Sequence, residues 1–94
     1  MGWGVTYQRG EVAHGSALGW AWHRLRGTVE RYVILEGRGR VEAGDLPAAD
    51  VGPGDVVVIP PMCRQRIAND GDGDLVFLAI CSPRFVPACY ESLE

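Results

Sequence analysis

The chain has 94 residues, of which 47% are hydrophobic and 22% are charged. We expect one folded domain over residues 1–94, because this composition is ordinary for globular proteins and two domains need more chain. The formal net charge of −3 argues against a nucleic-acid partner, since binding phosphates requires a basic face.

Glycine and proline divide the chain into short segments rich in Val, Ile, Tyr, Trp and Phe, which is typical of β-strands. The predicted strands are Val5 to Arg9, Ala17 to Arg26, Glu30 to Leu35, Arg40 to Ala43, Val56 to Ile59, Arg64 to Ala68 and Leu75 to Cys81. A type II turn is predicted at Gly52-Pro53-Gly54-Asp55. The tail from Pro83 to Glu94 is predicted to be an irregular strap with at most one helical turn. Short strands that each bury one face favour a barrel or a sandwich.

Alternation of side chains predicts an inner and an outer face for the second strand. Arg24 and Arg26 are too polar for an apolar core, so their face is predicted to point outward. The outer face then also carries Trp20 and Trp22. The residues predicted to point inward are Ala21, His23 and Leu25.

The same reasoning applies to two further strands. In the segment 64–67, the arginines are predicted to face outward, and Gln65 and Ile67 inward. In the third strand, Glu30, Tyr32 and Ile34 share one face, but their polarity alone does not decide whether that face is the inner one.

Half of the chain carries two groups of residues at fixed spacings. The first group contains His23, Glu30 and Gly37, and the second begins at Gly54 and ends at Asn69. These groups resemble the two sequence motifs of the cupin superfamily. The resemblance implies an all-β fold, the double-stranded β-helix or jelly-roll barrel of cupins.

The motifs depart from the cupin pattern where that family usually binds a metal ion. Leu25 stands at the position of the second histidine, and Gln65 at the position of the third. Met62 replaces a motif glycine. Of the four positions that usually bind the ion, only His23 and Glu30 keep their residue types.

Two interpretations of these residues stay open. His23, Glu30 and Gln65 could hold a divalent metal ion weakly, because an amide oxygen is a poor ligand for the metals that suit imidazole. Alternatively, these polar side chains satisfy one another by hydrogen bonds without a metal ion. In either case His23, Glu30, Tyr32 and Gln65 are predicted to contact a ligand, since buried polar groups are costly without partners. An alternative interpretation of Tyr32 is that its side chain only fills the hydrophobic core.

The predicted function is therefore the binding of a small organic molecule inside the barrel, with or without a weakly held divalent ion. The alternative is a metal-dependent cupin enzyme of the isomerase or epimerase, decarboxylase or dioxygenase type. The loss of two histidines favours a binding protein or a weak-metal enzyme over an iron oxygenase, which needs more imidazole ligands. No catalytic residue is assigned, and a purely structural dimer is a third class.

Cysteine usage and apolar segments indicate a location in the cytoplasm. The three cysteines, Cys63, Cys81 and Cys89, are an odd number without C-x-x-C spacing, which argues against a disulfide framework or a structural zinc site. The longest apolar runs are too short to cross a bilayer, and the first residues do not resemble a secretory signal. We therefore expect no membrane partner.

A homodimer is expected because a domain of this length buries little of its surface alone. Trp20 and Trp22 are predicted to form the interface, since neighbouring exposed tryptophans need covering. Arg24 and Arg26 would then lie toward its rim, where acids of the tail such as Glu91 or Glu94 could pair with them.

Overall fold

β-Strands dominate the part of the chain that the computed structural model describes, residues 4–13 and 20–94. The strands are β1 (Thr6–Val12), β2 (Trp20–Leu25), β3 (Val29–Glu36), β4 (Gly39–Ala43), β5 (Ala49–Val51), β6 (Val56–Ile59), β7 (Gln65–Asn69), β8 (Leu75–Ser82) and β9 (Tyr90–Ser92). A single 3-10 turn, Pro87–Cys89, precedes β9. Among these residues, no helix has the length and apolar character to span a membrane. Residues 17–19 of the predicted second strand lie outside the described residues.

The strands form two antiparallel sheets, which confirms the predicted all-β class. One sheet has the order β1-β8-β3-β6 and the other has the order β5-β4-β7-β2-β9. The hydrophobic core draws on both sheets, and its buried members are Val12, Tyr32, Ile34, Val41, Val51, Ile59, Ile67, Leu75, Phe77 and Ala79. Burying one face of each sheet against the other is how antiparallel strands remove apolar side chains from water.

The alternation of side chains correctly predicts the inner face of β7. For β3, where the sequence left the inner face open, the structure identifies it. Gln65 and Ile67 are buried, as expected. On β3 the face of Glu30, Tyr32 and Ile34 is the buried one, which settles what polarity left open. Three residues from the two strands therefore bring polar groups into an apolar interior.

In β2 the prediction fails at Trp20. His23 lies opposite Gln65 of β7, but Trp20 lies opposite Ile67, so three steps on β2 match two steps on β7. This bulge shifts the alternation by one residue, because the extra residue has no partner across the strand. Trp20 consequently packs against the hydrophobic core, although it was predicted to share the outer face with Trp22.

Trp22 does lie on the outer face, where it is covered within the chain. The guanidinium carbons of Arg64 and Arg66 lie 5.0 Å and 4.7 Å from the centroid of its ring. These distances allow cation–π attraction and shield the indole from water. The predicted dimer interface of two exposed tryptophans is therefore wrong in its composition, because one indole points inward and the other is already covered.

The C-terminal tail adds a strand, which the sequence analysis missed. β9 pairs with β2, with Arg24 opposite Glu91 and Leu25 opposite Tyr90. Glu91 accepts hydrogen bonds from Arg24 at 2.8 and 2.9 Å and from Arg26 at 3.0 Å, so the expected pairing of these arginines with a tail acid occurs inside one chain. The tail is thereby attached to the free edge of β2.

The turn before β6 follows the prediction. The Asp55 amide donates to the Gly52 carbonyl at 3.0 Å, which closes the turn. Gly54 has a φ of 88°, the left-handed value that the third position of a type II turn requires. The short strand β5 just before this turn was not predicted, because three residues carry little periodic signal.

Candidate functional site

A cavity of about 500 Å³ opens into the interior of the barrel. Its lining comes from β1, β2, β3, β8 and the tail, and consists of Thr6, Tyr7, Gln8, Trp20, Ala21, His23, Leu25, Glu30, Ala79, Cys81, Phe85 and Tyr90. Pockets that hold small organic ligands have volumes of about 300 to 1,000 Å³. The cavity is thus large enough for a molecule of the size of a single sugar ring or a nucleoside.

Two of the predicted site residues, His23 and Glu30, meet in the wall of this cavity. Each is only 4% exposed, and His23 Nε2 lies 3.9 Å from Glu30 Oε1. The other ring nitrogen, His23 Nδ1, lies 2.8 Å from the Ala21 carbonyl oxygen. Because a carbonyl oxygen only accepts, Nδ1 must donate its proton there, and Nε2 is left to face the carboxylate.

The pair favours a proton on the imidazole. Burial lowers the pKa of His23, but the Glu30 carboxylate and the Ala21 carbonyl together raise this pKa above its ordinary value. When protonated, His23 carries a charge opposite to that of a Glu30 carboxylate, and the pair then presents an N–H donor beside an acceptor.

One carboxylate oxygen of Glu30 lacks a hydrogen-bond donor. Within the described residues, its buried Oε1 atom has no hydrogen-bond partner, and 3.9 Å to His23 is too long for a good hydrogen bond. A buried carboxylate oxygen without a donor costs free energy, so such atoms normally find a partner. Glu30 is also one of the residues that line the cavity.

Tyr32 and Gln65 lie behind this wall. The Tyr32 hydroxyl donates a hydrogen bond to Gln65 Oε1, and both side chains are almost fully buried. Neither lines the cavity, so their direct contact with a ligand stays a prediction. Burial and the nearby Glu30 carboxylate raise the pKa of Tyr32, which keeps its hydroxyl protonated as the donor.

The donors around His23 do not fit a transition-metal ion. Leu25, at the position of a family histidine, packs with Cys81 and Cys89. The oxygen of Gln65 is already occupied by Tyr32. Two free donors are fewer than such ions usually take from a protein. No group of three or more His, Cys, Asp or Glu side chains suited to a metal occurs in residues 4–13 and 20–94.

Aromatic side chains that the sequence analysis did not assign to the site form much of the cavity wall. Tyr90 of β9 stacks on His23, with the ring centroids 5.3 Å apart and the planes inclined by 21°. Trp20 and Phe85 contribute two further faces. The tail aromatics were a usable signal, because aromatic rings favour contacts with other apolar or aromatic groups; Phe85 and Tyr90 line the cavity while 38% and 47% of their surface stays exposed.

Cys81 is the one cysteine in the cavity lining given above. Burial, followed by the charge of Glu30, raises the pKa of this thiol to about 11. The thiol is therefore protonated at neutral pH, and the thiolate that a nucleophile requires is scarce. Cys81 acts as a small apolar wall residue.

Comparison with known proteins decides the family. The profile described as a cupin domain matches residues 5–81. The chain belongs to the cupin family. The resemblance of the two sequence motifs is thereby confirmed, and with it the double-stranded β-helix fold.

Solved structures share the fold of this cupin at low sequence identity. A nucleoside dehydratase from Streptomyces superposes with a TM-score of 0.79 and 18% identity, covering 96% of this chain and 68% of its own. An oxalate decarboxylase from Lactobacillus farciminis gives a TM-score of 0.81 and 22% identity, covering 95% and 26%. A cupin from Bacteroides fragilis gives 0.75 and 25%, covering 84% and 65%. At the identities of the first two, the likeness concerns the fold alone.

Curated relatives in sequence are larger proteins. The glucose-6-phosphate isomerase of Pyrococcus horikoshii is 36% identical over 62 residues, which are 62% of this chain and 33% of the isomerase. The isomerase of Pyrococcus furiosus is 37% identical over 62 residues. This cupin thus spans about a third of the length of the curated relatives that it matches.

Proposed function

We propose that this cupin binds an uncharged, hydroxyl-bearing small organic molecule in its cavity, with Glu30 and His23 as the anchoring pair. The observation that carries the proposal is the buried Glu30 Oε1 atom, which has no hydrogen-bond partner in the described chain and belongs to a residue that lines the cavity. A ligand donor would satisfy this atom. A hydrogen bond to a charged group contributes about 1.5 to 3 kcal/mol.

A hydroxyl group suits the pair better than other donors. Its hydrogen can be donated to Glu30 Oε1 while its oxygen accepts from the protonated Nε2 of His23. The 3.9 Å between these two atoms leaves them unbonded to each other and available to the same ligand group. An amine would meet Glu30 equally well but would be repelled by the imidazolium.

The charge of the cavity favours an uncharged ligand. No arginine is among the described lining residues, and a protonated His23 would be balanced by Glu30. A phosphate group would therefore enter without a cation to offset its desolvation. The rings of Trp20 and Tyr90 offer faces on which a planar or sugar ring can stack. The neighbouring nucleoside dehydratase was solved with uridine, a ligand of this type.

Titrations monitored by NMR or calorimetry test the proposal with matched probes. Uridine and glucose are the uncharged probes, and uridine 5′-monophosphate and glucose 6-phosphate are their charged counterparts. We expect uncharged probes to bind more tightly than the phosphates. Glu30→Gln should weaken binding by roughly 10- to 100-fold, which corresponds to the loss of one charged hydrogen bond.

Glu42→Gln is the matched control, because Glu42 pairs with Arg66 outside the cavity. It should bind as the wild type does. Tighter binding of the phosphorylated probes would contradict the proposed charge selection. Equal affinities for Glu30→Gln and wild type, or no binding by any uncharged probe, would contradict the proposed anchor.

A metal-dependent enzyme of the isomerase, epimerase, decarboxylase or dioxygenase type remains the alternative prediction. Its test is the metal content of protein purified without chelator, together with thermal unfolding in added zinc, manganese or nickel. Stabilisation that disappears in His23→Ala would favour this alternative. An unchanged melting temperature with every ion would leave the metal-free pair as the anchor.

A further inference from the structure

The outer face of the sheet β1-β8-β3-β6 is apolar where an outer face is usually polar. Residues directly opposite each other share one face of a sheet, so the register identifies the outward residues. On three of the strands these are Val56 and Val58 of β6, Arg31 and Val33 of β3, and Leu78 and Ile80 of β8. The face continues onto β1 with Tyr7, Arg9 and Glu11. Val56 and Val58 are each 55% exposed, on a strand at the edge of the sheet. Apolar faces and bare edges of this kind mark association surfaces.

Two opposite charges flank this apolar face. Arg31 and Glu36 are both exposed and lie near the two ends of β3. A bulge between Ile34 and Glu36 places Glu36 opposite Val76, and therefore on the same outer face as Arg31. In the described part of the chain, neither charge has an ion pair or a side-chain hydrogen bond. Their neighbour Arg9, in contrast, pairs with Glu11.

We propose that this face is a homodimer interface, in which Arg31 of one copy pairs with Glu36 of the other. A two-fold axis in the plane of contact, perpendicular to β3 at Val33, makes the two β3 strands antiparallel. Along β8, Arg31 lies opposite Ile80, Val33 opposite Leu78 and Glu36 opposite Val76. At about 3.3 Å per residue, each charge therefore lies about 7 Å from Val33, on opposite sides of it. The two-fold rotation therefore places Arg31 of each copy beside Glu36 of the other, at two symmetric positions. Val33, Val56 and Leu78 then lie near the centre of the interface.

Among the described residues, the outer face of the other sheet offers no comparable surface. Its charges are paired within the chain, as in Arg66 with Glu42 at 2.7 Å and Arg24 with Glu91 at 2.8 Å. Its tryptophan, Trp22, is covered by two guanidinium groups. A second copy is thus favoured on the face where Arg31 and Glu36 have no ion pair within the described residues and are self-complementary.

Charge reversal tests the interface by sedimentation equilibrium or light scattering at micromolar concentration. The wild type should have twice the chain mass of 10.2 kDa. Arg31→Glu and Glu36→Arg should each raise the dimer dissociation constant by roughly tenfold or more, because like charges then face each other at two symmetric places. The double variant restores both pairs with reversed polarity and should dimerise like the wild type.

Arg40→Glu is the control, since Arg40 is an exposed arginine on the other sheet, paired with Asp50. Thermal unfolding of each variant verifies that it is folded. A monomeric wild type would overturn the proposal. So would single reversals that leave the dissociation constant unchanged, or a double variant that is as weak as either single one. Dissociation caused by Arg40→Glu would indicate an interface on the other sheet and would contradict the proposal.

Discussion

The substitution Gly10→Ala tests how tightly the core supports the cavity. Gly10 of β1 lies directly opposite Phe77 of β8. A Cβ atom at this position would lie 2.4, 2.6 and 3.0 Å from three carbons of the Phe77 ring. Carbon atoms in good contact are about 3.5 Å apart, so the ring would have to retreat by about 1 Å.

Phe77 has little room to retreat. Its side chain is fully buried, with Trp20 and Tyr32 packed edge-on at centroid distances of 4.9 and 5.4 Å. Overpacking of a closed core costs about 1 to 3 kcal/mol. For a domain of this size, each kcal/mol lowers the melting temperature by about 4 to 8 °C. Gly10→Ala should therefore melt between about 4 and 24 °C below the wild type.

The assay is thermal unfolding by calorimetry or circular dichroism, with Gly73→Ala as the matched control. Gly73 has no atom within 4 Å of an added Cβ, and its φ is not in the left-handed region. Its replacement should change stability by no more than about 0.5 kcal/mol. Because Trp20 lines the cavity, Gly10→Ala should also weaken ligand binding. A melting temperature equal to that of Gly73→Ala would refute the reasoning.

Three further predictions concern the site and the tail. Burial lowers the pKa of His23, but Glu30 and the Ala21 carbonyl raise it above its ordinary value. The stability that this pair contributes should be full below about pH 6.5 and should fall as the pH rises through the raised pKa. Thermal unfolding at several pH values should therefore show a flatter pH profile for Glu30→Gln than for the wild type. Tyr32→Phe leaves the oxygen of Gln65 without its donor, which should cost about 1 to 3 kcal/mol in denaturant unfolding. Arg24 and Arg26 lower the pKa of Glu91 from 4.5 to about 2, so the contribution of Glu91 should be lost progressively as the pH falls from about 4.5 through 2. Glu91→Gln should speed hydrogen exchange in β9 more than it changes global unfolding.

Local chemistry was sufficient to predict the all-β class and the inner face of β7, and the resemblance to the cupin motifs indicated half of the site. Alternation on β7 correctly placed Gln65 inside, because an arginine on either side must reach water. The turn before β6 was predictable because proline and glycine restrict or extend φ at the residues themselves. The motif positions of His23 and Glu30 also indicated two side chains that do meet in the cavity wall.

Only the tertiary structure decided the remainder of the cavity. Trp20 turns inward because β2 bulges against β7, and the bulge depends on the register of a strand more than 40 residues away. Tyr90 reaches His23 because the tail pairs with the free edge of β2, fixed by ion pairs between residues 67 and 65 positions apart. The pairing of β2 with β7 and of β9 with β2 depends on which strand edge is free and which charged residues meet when the sheets form. No local pattern in the sequence encodes these two conditions.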